Sequence, residues 1–207
     1  MAMTRREFLG CAAAATLPIQ ARGRETQCWL IAPDGDSPML RESVLGYRSA
    51  LPSGLEVNEI AALAVFPSSV HTSADRIDRH LRSGSTVIVE SGAGFSSDVE
   101  YQAHRRWMRE QFDITTKVPM DLWSGCTRGV PYIEYDWPVR ASVRDFSRVV
   151  PVADQPGEVI GWVGDVAVAL RRRIGRGTLI YLGSPLGPAI WAGDRQARRW
   201  LHQVFAS

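Results

Sequence analysis

The sequence predicts an α/β fold: a mostly parallel β-sheet with helices on both faces, followed by a late β-hairpin. Three observations predict it. Short apolar runs alternate along the chain with segments whose apolar residues recur at helical spacing. The runs are continuously apolar, which is typical of strands covered on both faces. Near the end of the chain, three apolar runs are separated only by short glycine-containing turns, as in hairpins.

The first half of the chain alternates between strand and helix. Ser73 is a good N-cap for one predicted helix, and Gly84 is a typical residue to end it. This alternation indicates parallel strands joined by helices. Strands are expected at 27–32, 56–60, 62–66 and 85–90, and helices at 38–51, 74–83 and about 98–111.

The second half departs from this pattern. The segment 118–152 is rich in Trp, Tyr, Pro and Gly, and it predicts an excursion over one edge of the sheet. Asp194 is expected to cap a last helix that runs to about Phe205. Strands are expected at 159–163, 167–174 and 177–182, separated by the hairpin turns Gly164-Asp165 and Gly175-Arg176.

The excursion carries many large aromatic rings for a small domain. Exposed rings would form a surface for stacking a sugar or contacting a protein, whereas buried rings would pack an irregular segment. We expect most of them to be buried, with one or two at the rim of a cleft. They are Trp123, Tyr132, Tyr135 and Trp137, together with Trp162 from the later hairpin.

Residues 1–22 predict an export signal. Thr4-Arg5-Arg6-Glu7-Phe8-Leu9 precedes a short, alanine-rich run and resembles a twin-arginine signal, which directs folded proteins across a bacterial membrane. The run is too short and too weakly apolar to span a membrane. We therefore expect the twin-arginine translocase as a partner, and a single periplasmic or secreted domain, 23–207, that is not integral to the membrane. A cytosolic helix and a lipoprotein anchored through Cys11 are the alternatives.

The composition of the chain argues against a nucleic-acid partner and leaves open whether its two remaining cysteines form a disulfide. The chain has a formal net charge of +2, and the predicted signal contains three Arg and one Glu, so the mature domain is near neutral. A nucleic-acid binder needs a basic stripe, so we expect no nucleic-acid partner.

After removal of the signal, Cys28 and Cys126 would remain, either as a disulfide or as thiols. The mature chain shows no cofactor motif and no recognised metal motif, so no cofactor and no metal site are expected.

Three segments carry a family resemblance: the run 62–67, the helix–glycine–strand unit 77–90, and 175–183 with Gly-x-Gly before an apolar strand. Together they resemble the class I glutamine amidotransferase-like fold, which includes ThuA-like proteins and has a flavodoxin-like sheet. The resemblance implies a catalytic cysteine after the strand that ends at Glu90, and a histidine and a glutamate after the last strand. Here the turn is Ser91-Gly92-Ala93-Gly94, and 183–188 contains neither residue. We therefore expect no glutamine hydrolysis by that mechanism.

Ser91 lies where that nucleophile would lie, and Gly92 and Gly94 would let the backbone turn tightly enough to expose its hydroxyl. A serine needs a base, and His71 follows a strand at the same predicted edge. The carboxylate of a triad would come from Glu90 or Asp34. The alternative is that Ser91 is only a small residue in a glycine-rich turn. The other histidines lie on helices, where His80 and His104 are expected to face solvent and His202 lies on the terminal helix.

Further polar residues are predicted at the same edge, because Asp34 and Asp36 follow the first strand and Ser184 follows the last. With Glu90 they would bind a hydroxylated ligand, although turn chemistry also explains the aspartates and a backbone cap also explains Glu90. The leading expectation is an exported accessory module that binds a small molecule, such as a carbohydrate, or an exported protein. A serine hydrolase using Ser91 and His71, and an assembly subunit of an exported complex, are the alternatives.

Overall fold

The computed structural model describes residues 28–30, 38–51, 63–66, 74–91, 97–124, 130–146, 148–153 and 157–207. In these residues the chain forms ten strands and five helices. The strands are β1 (Cys28–Leu30), β2 (Leu63–Phe66), β3 (Thr86–Glu90), β4 (Met120–Asp121), β5 (Tyr132–Tyr135), β6 (Ala141–Arg144), β7 (Arg148–Val149), β8 (Glu158–Val163), β9 (Val166–Ile174) and β10 (Gly177–Leu182). The helices are α1 (Pro38–Ala50), α2 (Ala74–Ser83), α3 (Asp98–Phe112), α4 (Gly187–Trp191) and α5 (Arg195–Ala206).

Eight of these strands form one mixed sheet in the order β1-β2-β3-β10-β9-β8-β5-β6. The three pairings from β1 to β10 are parallel, and the four pairings from β10 to β6 are antiparallel. The prediction of a mostly parallel, flavodoxin-like sheet is therefore wrong. Parallel pairing stops at β10 because β8, β9 and β10 are joined in succession by two-residue turns, which reverse the chain direction.

The predicted excursion is the other reason for the mixed sheet. Its strands β5 and β6 extend the main sheet beyond β8, while β4 and β7 pair separately as a small two-stranded sheet. Burial alternates along β5, where Ile133 and Tyr135 are buried and Tyr132 and Glu134 are exposed. This alternation is typical of an antiparallel strand with one packed face.

Two hydrophobic cores lie on opposite faces of the sheet, because successive strand residues point to opposite sides. The first core contains Ile88 and Ile180 and is covered by buried residues of α1, α4 and α5. The second contains Val87 and Leu179 and is covered by residues of α2 and α3. Among the described residues, no helix is long and apolar enough to cross a membrane.

Helices α1 and α4 pack with their backbones in close contact at a glycine pair. A β-carbon added to Gly46 would lie 1.9 Å from the carbonyl oxygen of Gly187, and one added to Gly187 would lie 2.3 Å from the Cα atom of Ser43. No side chain fits in such a gap. The contact holds the start of α4 against α1, directly beside the end of β3.

The free edge of the sheet at β6 is covered by side chains of α5 and its cap. The amide of Ser142 donates to Gln196 Oε1 at 2.8 Å, and the amide of Arg144 donates to Asp194 Oδ2 at 3.3 Å. Asp194 also caps α5, because its Oδ1 accepts from the amides of Gln196 and Ala197. These bonds occupy amides that would otherwise pair with another strand.

Candidate functional site

The end of β3 places two polar residues on opposite faces of the sheet. The amide of Ser91 donates to the carbonyl of Leu182 at 2.7 Å, which continues the pairing of β3 with β10. Because side chains alternate along an extended chain, Glu90 points towards α1 and α4, whereas Ser91 points towards α3. The Glu90 carboxylate is therefore on the wrong face to complete a triad with Ser91.

Glu90 is fully buried and accepts four hydrogen bonds. Its Oε1 accepts from the Tyr47 hydroxyl at 2.5 Å and from the amides of Leu186 at 2.7 Å and Gly187 at 3.2 Å. Its Oε2 accepts from the Ser43 hydroxyl at 3.2 Å. One side chain thus connects α1, β3 and the first residues of α4, whose amides lack partners within their own helix.

The electrostatics of Glu90 follow from this burial. Removal from water raises its pKa from 4.5 to about 7, and the hydrogen bonds from Tyr47, Leu186, Gly187 and Ser43 oppose the rise only in part. The pKa of the Tyr47 hydroxyl is also raised, first by burial and then by the nearby Glu90 charge. A carboxylate with this many internal donors is anchored as a structural cap.

Ser91 lies on the other face, in hydrogen-bonding contact with a histidine that was a less favoured candidate base than His71. Its Oγ is 2.7 Å from His104 Nε2, and the exposed fraction is 0% for Ser91 and 2% for His104. The expectation that His104 faces solvent is therefore wrong. The sequence did carry a signal for its burial, because Tyr101, His104 and Met108 follow one another at helical spacing along the buried side of α3.

Tyr181 forms a further part of the wall around Ser91. Its hydroxyl donates to the carbonyl oxygen of Val150 at 3.0 Å and is also within hydrogen-bonding reach of Ser91. Burial raises the pKa of Tyr181 well above its ordinary value. A Ser–His contact of this length allows a histidine to take a hydroxyl proton. A substrate reaches this hydroxyl only if part of the wall moves, because Ser91 is fully enclosed.

The remaining predicted site residues do not form one cluster in the described chain. Ser184 is buried, and its hydroxyl donates to Oδ1 of the buried Asp145 at 2.6 Å. Among the described residues, no group of three His, Cys, Asp or Glu side chains is arranged to hold a metal ion. Five predicted residues lie outside the described part of the chain: Asp34, Asp36, His71, Gly92 and Gly94.

The aromatic residues of segment 118–152 are divided between core and surface. Tyr135 is buried with its ring centroid 4.8 Å from that of Trp200, and Trp137 is half-buried, as is Trp162 from β8. Trp123 and Tyr132 are exposed, with 39% and 46% of their surfaces accessible. Two large rings are therefore available at the surface of this half of the sheet.

No family model matches the chain, and no curated protein matches it. Solved structures do match. The exo-β-1,4-mannosidase Op5Man5 from Opitutaceae bacterium strain TAV5 matches with a TM-score of 0.55 and 11% identity over 87% of this chain and 35% of its own. A β-galactosidase from Bacillus circulans sp. alkalophilus matches with a TM-score of 0.51 and 11% identity, covering 86% and 31%. A β-galactosidase from Halorubrum lacusprofundi matches with a TM-score of 0.50 and 13% identity, covering 84% and 31%.

These comparisons correct the family resemblance that the sequence suggested. None of the three proteins reported above, a mannosidase and two β-galactosidases, is named as an amidotransferase or a flavodoxin, and the predicted amidotransferase-like family was wrong. The chain spans about a third of the length of each of these glycosidases. At 11 to 13% identity the likeness shows the fold alone.

Proposed function

We propose that this chain is a non-catalytic module that binds a small ligand or a protein partner, and that a twin-arginine signal directs it to the periplasm or out of the cell. The observation that carries the proposal is the burial of both reactive groups at the end of β3. Glu90 and Ser91 are each 0% exposed and hydrogen-bonded within the fold. A catalytic group must touch its substrate, and neither of these does so without movement of the surrounding chain.

The hydrogen bonds of Glu90 support a structural role. Two of its four donors are backbone amides at the start of α4, and the other two are side chains of α1. Three of these donors share Oε1, and full burial keeps a reactant from reaching the less occupied Oε2. We therefore infer that the role of Glu90 is to hold α1 and α4 together.

The solved structures support a carbohydrate as the ligand. This chain is similar in fold to part of proteins named as β-galactosidases and an exo-β-1,4-mannosidase, which are enzymes of carbohydrates. It spans about a third of them, a proportion suited to one module of a larger enzyme. The exposed rings of Trp123 and Tyr132 offer flat amphipathic surfaces of the kind on which a sugar ring stacks.

A serine-directed fluorophosphonate probe tests the absence of catalysis. We expect no labelling of the protein purified after expression of the full chain. Ser91→Ala is the diagnostic variant, and Ser184→Ala is its matched control, because Ser184 is also buried and hydrogen-bonded but contacts Asp145 in place of a histidine. Labelling that is lost in Ser91→Ala and kept in Ser184→Ala would contradict the proposal.

A second candidate function, a serine hydrolase, is favoured by the 2.7 Å contact between Ser91 Oγ and His104 Nε2. This candidate replaces His71 with His104 as the base. It requires Ser91→Ala and His104→Ala to abolish any hydrolysis to the same extent, because a nucleophile and its base act as a unit. Hydrolysis that persists in His104→Ala would remove this candidate.

A further inference from the structure

Four residues form a surface feature on the outer face of the antiparallel half of the sheet. Tyr132 on β5 lies directly opposite Arg144 on β6. The Arg144 guanidinium carbon lies 5.5 Å from the ring centroid of Trp123 and 4.9 Å from that of Phe146. We call these four residues, Trp123, Tyr132, Arg144 and Phe146, the aromatic–arginine patch.

Unlike its backbone amide, which donates to Asp194, the Arg144 side chain has an unused donor in the described part of the chain. Among the described residues, its Nε is buried with no acceptor in reach, and its guanidinium makes no ion pair. Arg171 provides the contrast, because its guanidinium carbon lies 4.3 Å from the Trp137 ring centroid, yet its Nη2 is 2.5 Å from Glu158 Oε2. Arg144 is thus a guanidinium held against two rings, and an external acceptor would meet its terminal Nη groups, because its Nε is buried.

A carboxylate is the acceptor that best fits such a group, because the planar guanidinium can donate two parallel hydrogen bonds to it. The exposed rings of Trp123 and Tyr132 flank Arg144 and would contact an apolar face of the same ligand. Ser142 and Glu134, which are hydrogen-bonded to each other at 2.5 Å, form the next pair along these strands and offer oxygens to ligand hydroxyls. The ligand therefore combines a carboxylate, a flat ring face and hydroxyl groups.

The neighbouring edge of the sheet disfavours an extended peptide. Peptides commonly bind such a sheet by adding a strand to its edge. At β6 the amides of Ser142 and Arg144 already donate to Gln196 and Asp194. A compact, ring-containing ligand does not need these amides.

We propose that the aromatic–arginine patch binds a uronic-acid residue of an acidic saccharide, an inference that rests on the proposed binding function. Arg144 donates to the sugar carboxylate, and the pyranose ring stacks on Trp123 or Tyr132.

Isothermal titration calorimetry of the protein with trigalacturonate, maltotriose and a hexaglutamate peptide tests this proposal. We expect trigalacturonate to bind and the other two not to bind. Arg144→Lys, which keeps the charge but loses the forked donors, should weaken binding about tenfold. Arg171→Lys is the matched control, because it changes an arginine that also lies over a ring but is already paired with Glu158, and it should bind as the parent does.

A second pair of variants tests the rings. Trp123→Ala should weaken trigalacturonate binding several-fold, whereas Trp191→Ala, which removes an exposed tryptophan of α4 outside the patch, should leave it unchanged. Circular dichroism would establish that each variant is folded, and either pair alone is sufficient if a variant of the other pair does not fold.

Several results would overturn the proposal: no heat with trigalacturonate, equal affinity for maltotriose, binding of hexaglutamate through Arg144, or binding unaffected by both Arg144→Lys and Trp123→Ala. These results are distinct from failure of the proposed function. Fluorophosphonate labelling of Ser91 would show catalysis whatever the patch binds. A protein that is not labelled and does not bind trigalacturonate would contradict only the proposed uronic-acid site.

Discussion

Replacing Glu90 by glutamine should make the protein less sensitive to rising pH. Burial raises the pKa of Glu90 from 4.5 to about 7 in the folded protein, so the folded state holds this proton more tightly than the unfolded chain does. The contribution of Glu90 to the free energy of unfolding is therefore fully present below pH 4.5 and is lost as the pH rises to about 7. Glutamine cannot ionise, so the variant lacks this loss.

The magnitude follows from the difference between the two pKa values. Each pKa unit corresponds to about 1.4 kcal/mol, so Glu90 should reduce the free energy of unfolding by about 3 kcal/mol between pH 4.5 and neutrality. The glutamine oxygen can still accept from the amides of Leu186 and Gly187 and from Tyr47. Its amide nitrogen would occupy the position of Oε2 and could donate to the Ser43 hydroxyl, as the protonated Oε2 of Glu90 would.

Urea unfolding of both proteins, followed by tryptophan fluorescence at several pH values between about 5 and 8, measures this effect. We expect the stability of Glu90→Gln relative to the parent to increase steadily across that range. Glu158→Gln, which removes an exposed carboxylate paired with Arg171, is the control and should change stability little. A difference between Glu90→Gln and the parent that is the same at every pH would refute the reasoning.

Two further predictions concern packing and export. Gly46→Ala places a methyl group 1.9 Å from the Gly187 carbonyl oxygen and should lower the free energy of unfolding by about 3 kcal/mol or more, measured by urea unfolding. Arg48→Ala on the exposed side of α1 is its control, and a Gly46→Ala protein as stable as that control would contradict the packing argument. Arg5→Lys combined with Arg6→Lys should keep the protein in the cytoplasm, measured by cell fractionation. Unchanged export of this double variant, beside Arg22→Lys as control, would exclude the twin-arginine route.

Several helices and turns of this fold could be predicted from the sequence because interactions between neighbouring residues specify them. The two late hairpins follow from turns at Gly164 and Gly175, whose φ angles of +58° and +57° favour glycine. Helices α1, α2, α3 and α5 follow from their spacing of apolar residues, and Asp194 caps α5 as expected. Their local preferences agree with their place in the tertiary structure.

The strands of segment 118–152 could not be predicted from the sequence in the same way. Residues 132–135 and 141–144 are four-residue strands that bury alternate side chains, and they lie among Trp, Pro and Gly residues typical of loops. Such short strands are recognised mainly through their partners, which for β5 are the adjacent β6 and the more distant β8. The pairing with β8 joins β5 to the antiparallel half of the sheet, and the pairing with β6 places Tyr132 opposite Arg144.

The candidate site shows the same division. The sequence alone indicated that Glu90 and Ser91 end a buried strand, and that a buried carboxylate there needs partners. Only the tertiary structure decided which partners these are, because Tyr47, His104 and Leu186 come from three other elements and reach β3 on two different faces. Periodicity and turn chemistry act over a few residues, so the sequence by itself determined α1, α2, α3, α5 and the two late hairpins, but not α4 or the β5–β6 pair. Side-chain contacts between distant segments depend on how those elements pack, so the site and the mixed sheet became visible only in the folded chain.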